Sequence, residues 1–200
     1  MSRLTRGVIV GAAAVVLAAL VALALVVSRG VSARDTPGRL EMFVARRVRH
    51  LAIPRGARET TSPVPATPAA VVEGLRHFAD HCASCHANDG SGDTAFGRGL
   101  YPKPPDLRLT DTQSLSDGEL FSIIENGIRF TGMPAFGDGT EKAAADSWML
   151  VHFVRHLPKL TPDELAEMAT LNPKMPEEFR QEEAIRQFLE GEAPKGPARK

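Results

Sequence analysis

"HCASCH", residues 81–86, holds both cysteines of this 200-residue chain, Cys82 and Cys85, and sets His86 directly after the second. Cys-x-x-Cys serves three chemistries, and each demands a different chain around it. A thioredoxin-like dithiol belongs beside a βαβ pattern, and no stretch here reads as a convincing strand. A zinc site needs further Cys or His ligands at suitable spacing. There is no second cysteine pair, and His152 with His156, four apart on one helix, could in principle add two ligands, though a pair of surface histidines explains them more simply. Covalent haem attachment has Cys-x-x-Cys-His as its signature. Each thiol adds to one haem vinyl group as a thioether, and the adjacent histidine reaches the iron. This reading consumes both cysteines and accounts for the lack of a disulfide framework.

Outward from that motif the chain reads as helices separated by long loops. "AAVVEGLRHFADH" puts Val71, Leu75 and Phe78 on one helical face, with Gly74 inside it, where glycine costs about 1 kcal/mol against alanine and often marks a close backbone approach. Residues 87–112 are rich in Gly, Pro and Asp and read as loop. Ser116 and Glu119 form a capping box for "SDGELFSIIENGI", and Gly127 ends it. "TGMPAFGDGT" is loop. "EKAAADSWMLVHFVRHL" is a helix with Trp148, Val151, Val154 and Leu157 in one stripe, stopped by Pro158. Thr161, Pro162 and Glu164 cap the next helix. A last helix over "PEEFRQEEAIRQFLEG", carrying Phe179, Ile185, Phe188 and Leu189, precedes a frayed end after Gly191. The class is all-α.

Before residue 69 the chain has another character. Gly7 to Val27 is uncharged, flanked by Arg3, Arg6 and Arg29, and long enough at 1.5 Å per residue to cross a hydrocarbon core of about 30 Å. It is longer than the h-region of a cleaved signal, although Val31-Ser32-Ala33 offers a small-residue cleavage site. "RLEMFVARRVRHLAI" spaces Leu40, Phe43, Val44, Val48 and Leu51 helically, with Arg47 inside the apolar arc; such a helix suits an anionic membrane surface, a docked partner or a stalk. "TTSPVPATP" reads as a stiff, extended linker. Net charge follows these divisions: residues 1–69 carry +7, residues 70–160 carry −4 and residues 161–200 carry −3. An acidic body is no nucleic-acid binder.

In its order of motifs, the stretch from Ala69 to Leu157 resembles a class I c-type cytochrome of the membrane-anchored bacterial monohaem kind. Gly74 and Phe78 lead into "CASCH"; "NDGSGD", "YPKPPDL", "IIENGI" and "TGMPAF" follow, then a helix with Trp148. The resemblance implies a small helical domain wrapped around one covalent haem c, with the Gly-Met-Pro methionine, here Met133, opposite His86 on the iron. Met133 also lies in a loop, off any apolar stripe, and a thioether favours ferrous iron. Met149, Met168 and Met175 read as packing residues; His77, His81, His152 and His156 are the alternative ligands. In the family a proline-segment carbonyl accepts from the proximal histidine, which points to Pro104 or Pro105. Arg98 and Tyr101 are candidates for the haem propionates.

The expected organisation is an anchor over residues 1–33, a basic stalk and linker over 34–68, the cytochrome domain over 69–160 and a helical extension over 161–200. With two protein ligands on the iron, the expected role is one-electron transfer, not catalysis, between redox partner proteins. The extension could instead dock the chain in a larger respiratory complex, a terminal oxidase or dehydrogenase. A haem sensor or peroxidase would require a displaceable Met133. Haem attachment places the domain in the periplasm, on a single-pass inner-membrane anchor. Six arginines just after the span pull the other way under the positive-inside rule; the attachment chemistry is taken to decide.

Overall fold

The computed structural model describes residues 2–30, 32–174 and 176–189, which are helix and loop with no strand among them. The chain divides into two units, Met1–Thr36 and Pro37–Lys200. The first is one helix, α1 (Arg3–Arg29), started by Ser2, whose hydroxyl accepts from the Thr5 N–H at 3.2 Å. Its Thr5–Ser28 stretch is long and apolar enough to cross a membrane. Val31, in the small-residue tripeptide, lies outside the described residues.

The second unit is organised by the crossing of α4 (Pro68–His77) and α8 (Glu141–His156). Thr67 caps α4 and Pro68 opens it, where a proline gives up no helical hydrogen bond. Leu75 and Phe78 are buried against Trp148, Leu150, Val151, Phe153 and Val154 of α8, and the Phe78 and Phe153 rings lie 5.1 Å apart. Gly74 permits the approach: a Cβ there would fall 2.1 Å from the Met149 carbonyl oxygen. Full burial of each large side chain is worth about 1.5–3 kcal/mol, so the crossing is the main source of cohesion. α7 (Asp117–Asn126) adds Leu120 and Ile124, and its Phe121 stacks on Trp148 at 4.3 Å. The short α6 (Thr110–Gln113) is tied to α8 by Gln113, which donates to the Leu107 and Val154 carbonyls, and by Arg155, which donates to the Gln113 and Leu115 carbonyls and to Asp117.

α9 (Pro162–Leu171) is a clasp: Met168 is fully buried, as a packing residue should be. Beyond it, the Asn172 amide, oriented to satisfy its neighbours, bonds the Ala79 carbonyl and Asn88. In α10 (Pro176–Leu189), Ile185, Phe188 and Leu189 are exposed; Met175, the Phe179 side chain and residues 190–200 lie outside the described residues.

Residues 37–68 do not hang free. α2 (Arg39–Ala52) and α3 (Arg55–Glu59) lie on the domain, with Arg46 on Asp111 (2.5 Å) and Arg58 on the buried Glu119 (3.2 Å). The proline-rich stretch is extended, as expected, but pinned: Val64 packs on the core and His152 Nε2 donates to its carbonyl at 2.9 Å. The stiff, extended linker is therefore a strap held against the domain. His152, read as a surface residue, is 8 % exposed because it holds that strap. His156 pairs with Glu164 on α9 at 2.8 Å. The strap's tightest point is α3 on α7, where a Cβ on Gly118 would meet the Ala57 carbonyl oxygen at 1.8 Å. Gly118→Ala is expected to cost about 1–3 kcal/mol through overpacking and to speed tryptic cleavage at Arg55 and Arg58, read on gels; unchanged cleavage would refute the strap.

Candidate functional site

α4 does not run straight into the motif. Phe78–Cys82 forms a π-helical turn, in which the Ala83 N–H bonds the Phe78 carbonyl, and α5 (Ala83–His86) follows. The extra residue rotates the cysteines relative to α4; π-turns are frequent at functional sites and have no composition by which they could be read in advance. Cys82 and Cys85 form no disulfide, and both are half-buried. Burial, with Cys85 adding to it, pushes the Cys82 thiol up to about 12. A redox dithiol needs the opposite, a thiolate favoured at neutral pH. No group of three or more metal-ligating His, Cys, Asp or Glu side chains occurs among the described residues, which leaves the zinc reading without a donor set.

His86 is half-buried beside Phe78, ring centroids 6.4 Å apart. Burial lowers its pKa, while the Pro105 carbonyl opposes that shift. Although this carbonyl acts on the ring, Nδ1 is buried and has no partner at full hydrogen-bond geometry. A neutral imidazole beside a backbone carbonyl is the form that ligates metal through one nitrogen while the other donates. Of the two expected prolines, then, Pro105 addresses His86.

Pro104 has a different job. Gly92, at φ +76°, donates to the His86 carbonyl at 2.8 Å, and a Cβ there would strike the Pro104 carbonyl oxygen at 2.6 Å. Only glycine adopts this backbone cheaply and leaves that room. The hydroxyl of Thr94 donates to the Cys85 carbonyl and accepts from the Gly97 N–H. Thr94 and Gly97 were not singled out by the sequence; the first glycine of "FGRG" was the available signal. Below this loop Arg108 holds Asp106 (2.7 Å) and Asp89 (2.9 Å). The Arg108 hydrogen bond keeps the Asp106 carboxyl below its usual range. A lowered carboxyl pKa stabilises the fold above its unfolded value, about 3.9, and this is lost as pH falls through the folded value. Arg108→Met should therefore lower the melting temperature near neutral pH and narrow its fall on acidification below about pH 4, followed by circular dichroism.

The Met133 loop is equally specified. The Ile128 N–H donates to the Met133 carbonyl at 3.1 Å, the Met133 N–H donates to Thr131 Oγ1 at 3.1 Å, and Gly127 at the end of α7 packs on Pro134. Gly132 sits against the Leu100 side chain. The segment containing Leu100 and Pro105 thus touches both loops, one at Gly132 and the other at His86. Arg98 is bonded to Asp93 (2.5 Å), and the Tyr101 hydroxyl donates to Glu41. His77 faces Asp146 at 3.6 Å and His81 faces Asp80 at 3.3 Å. With His152 and His156 engaged by the strap and α9, each alternative ligand has another structural role.

The donor set suits a haem with thioether tethers: two thiols three residues apart, a histidine whose pKa burial lowers and a thioether in a fixed loop. Residues 69–154 match the family model described as cytochrome c oxidase, cbb3-type, subunit III. A subunit of a reducing HAO-like protein complex of Kuenenia stuttgartiensis is similar at 22 % identity and a TM-score of 0.42, over 48 % of this chain and 47 % of that one. The chain thus spans under half the length of that neighbour. From its all-helical fold, its CASCH run and the family match, the segment 69–154 is a class I-like c-type cytochrome domain whose cofactor is covalently bound haem c.

Proposed function

We propose that this chain is a membrane-anchored, one-electron carrier whose single haem is tethered by Cys82 and Cys85 and ligated by His86 and Met133. The observation that carries this reading is the meeting of the two loops at the Leu100–Pro105 segment, which touches His86 through Pro105 and the Met133 loop through Gly132. The haem supplies one reversible electron at its iron. The chain's own residues do the rest. His86 offers a lone pair, and its second nitrogen is oriented by the Pro105 carbonyl. Met133 would supply the second protein ligand to the iron, so that no open position would be left for a substrate. Phe78, Trp148 and their neighbours exclude water. Arg98 and Tyr101 would serve propionates only by leaving Asp93 and Glu41.

The apolar α1 supports an inner-membrane anchor, and thioether attachment supports a periplasmic location for the domain. The test is expression with a c-type maturation system. One haem per chain, retained after acid-acetone extraction and lost in Cys82→Ser/Cys85→Ser, is expected; haem that extracts freely from the native chain would sink the reading. A second reading, a subunit of a larger membrane oxidoreductase, is favoured by the family description, which names an oxidase subunit. A detergent-solubilised mass equal to one chain supports the free carrier, and stable co-purifying subunits support the alternative.

A further inference from the structure

α2 presents its two sides in the reverse of the usual order. Towards the domain it is polar: Arg46 pairs with Asp111, His50 Nδ1 lies 3.5 Å from Glu119, and Glu41 accepts from the Tyr101 hydroxyl. At 100° per residue, Leu40, Val44, Val48 and Leu51 share an arc roughly opposite Arg46 and Arg49, with Arg47 and Phe43 along its edge. All five apolar residues are exposed, Leu40 at 75 % and Leu51 at 81 %. A helix of a soluble domain turns such a stripe to the core; this one turns it to the outside.

We propose that this face of α2 lies in the lipid surface of the membrane and holds the cytochrome domain in one orientation to the bilayer. The inference rests on reading α1 as a membrane span. Nine residues separate α1 from α2, a tether no longer than about 32 Å when fully extended, short enough for α2 to reach the headgroups. Its charge fits that occupant. Arg47 is exposed beside the apolar arc, and its guanidinium lies over the Phe43 ring at 5.3 Å. An arginine at the edge of an apolar stripe can bury its stem and raise its head to an anionic phosphate. Because Arg46 and His50 face Asp111 and Glu119 on the other side, and Glu41 at the rim accepts from Tyr101, α2 would transmit its position to the domain through side-chain contacts.

The experiment uses full-length holoprotein in phosphatidylglycerol-rich vesicles containing a phospholipid with a photoactivatable group high in its acyl chain; labelled peptides are mapped by mass spectrometry. Label is expected within residues 5–28 and also within residues 40–51. In Val44→Glu/Leu51→Glu the second signal should fall about tenfold, with the first unchanged. Label confined to residues 5–28 overturns the proposal and leaves the anchor standing. Label on neither segment overturns both. Crosslinks between the α2 helices of two chains, with lipid label absent from α2, overturn it in favour of self-association. Should the double variant fail to take up haem, the native protein decides alone: α2 label should weaken in phosphatidylcholine vesicles, and label independent of headgroup charge counts against the role of Arg47.

Discussion

Met133→Ala is expected to keep its haem and lose its sulfur ligand. The charge-transfer band at the red end of the oxidised spectrum should vanish, the ferrous form should bind CO rapidly, and the midpoint potential should fall by on the order of 0.2 V, within the roughly 0.8 V range that axial ligands command. The reason lies in the chain as much as in the thioether. Bonds from Ile128 and to Thr131 fix the Met133 backbone at both its carbonyl and its N–H. A ligand held in place in this way costs little entropy when it binds. Met168→Leu is the control, because Met168 is the wholly buried residue of α9 and packs into the core. An unchanged band in Met133→Ala would assign the sixth position to another residue. That residue would have to be another methionine, because a histidine nitrogen gives no such band; His77, His81, His152 and His156 come into question only if the native protein lacks the band, and each would then have to break its observed pairing.

Gly74→Val should give almost no stable holoprotein. Its Cβ would overlap the Met149 carbonyl oxygen, and the Phe153 Cβ lies 2.9 Å away. Backbone cannot rotate aside as a side chain does, so α8 must move. That separates Phe78 from Phe153 and shifts Trp148 away from Phe121. Overpacking at a helix crossing costs about 3 kcal/mol or more when neither partner can yield, a large part of the roughly 5–15 kcal/mol that holds a domain together. The consequence reaches the site, since Phe78 opens the π-turn that carries Cys82. Haem yield and melting temperature measure the effect. Gly99→Ala, where an added Cβ meets nothing within 4 Å, should leave both unchanged; a wild-type melt for Gly74→Val would remove the crossing from its central role.

The helices were legible because their causes are local. Ser116 with Glu119 and Thr161 with Glu164 close their capping boxes as their spacing predicts, and the Trp148, Val151, Val154 and Leu157 stripe is buried because 3.6-residue periodicity puts it on one face. The haem motif was legible for the same reason, since two thiols and a histidine within five residues need no distant partner to be recognised. Local sequence could not reveal the π-turn, where a one-residue change in hydrogen-bond register has no signature in composition. Nor could it distinguish Pro104 from Pro105, because only packing against Gly92 gives one of them to the loop and the other to His86.

The strap was the largest departure. Basic and proline-rich residues read as stalk and linker because composition reports solvation, and an arginine looks the same whether it faces water or a carboxylate in another part of the chain. Asp111 and Glu119 are more than 60 residues from the arginines they meet, so only the folded chain could bring them together. By itself, the sequence determined what this protein holds: a helical domain with a thiol-tethered haem after an apolar helix. The tertiary structure decided how the CASCH turn and the Met133 loop are braced and which way the basic helix faces, because long-range packing selects among partners that sequence spacing leaves equivalent.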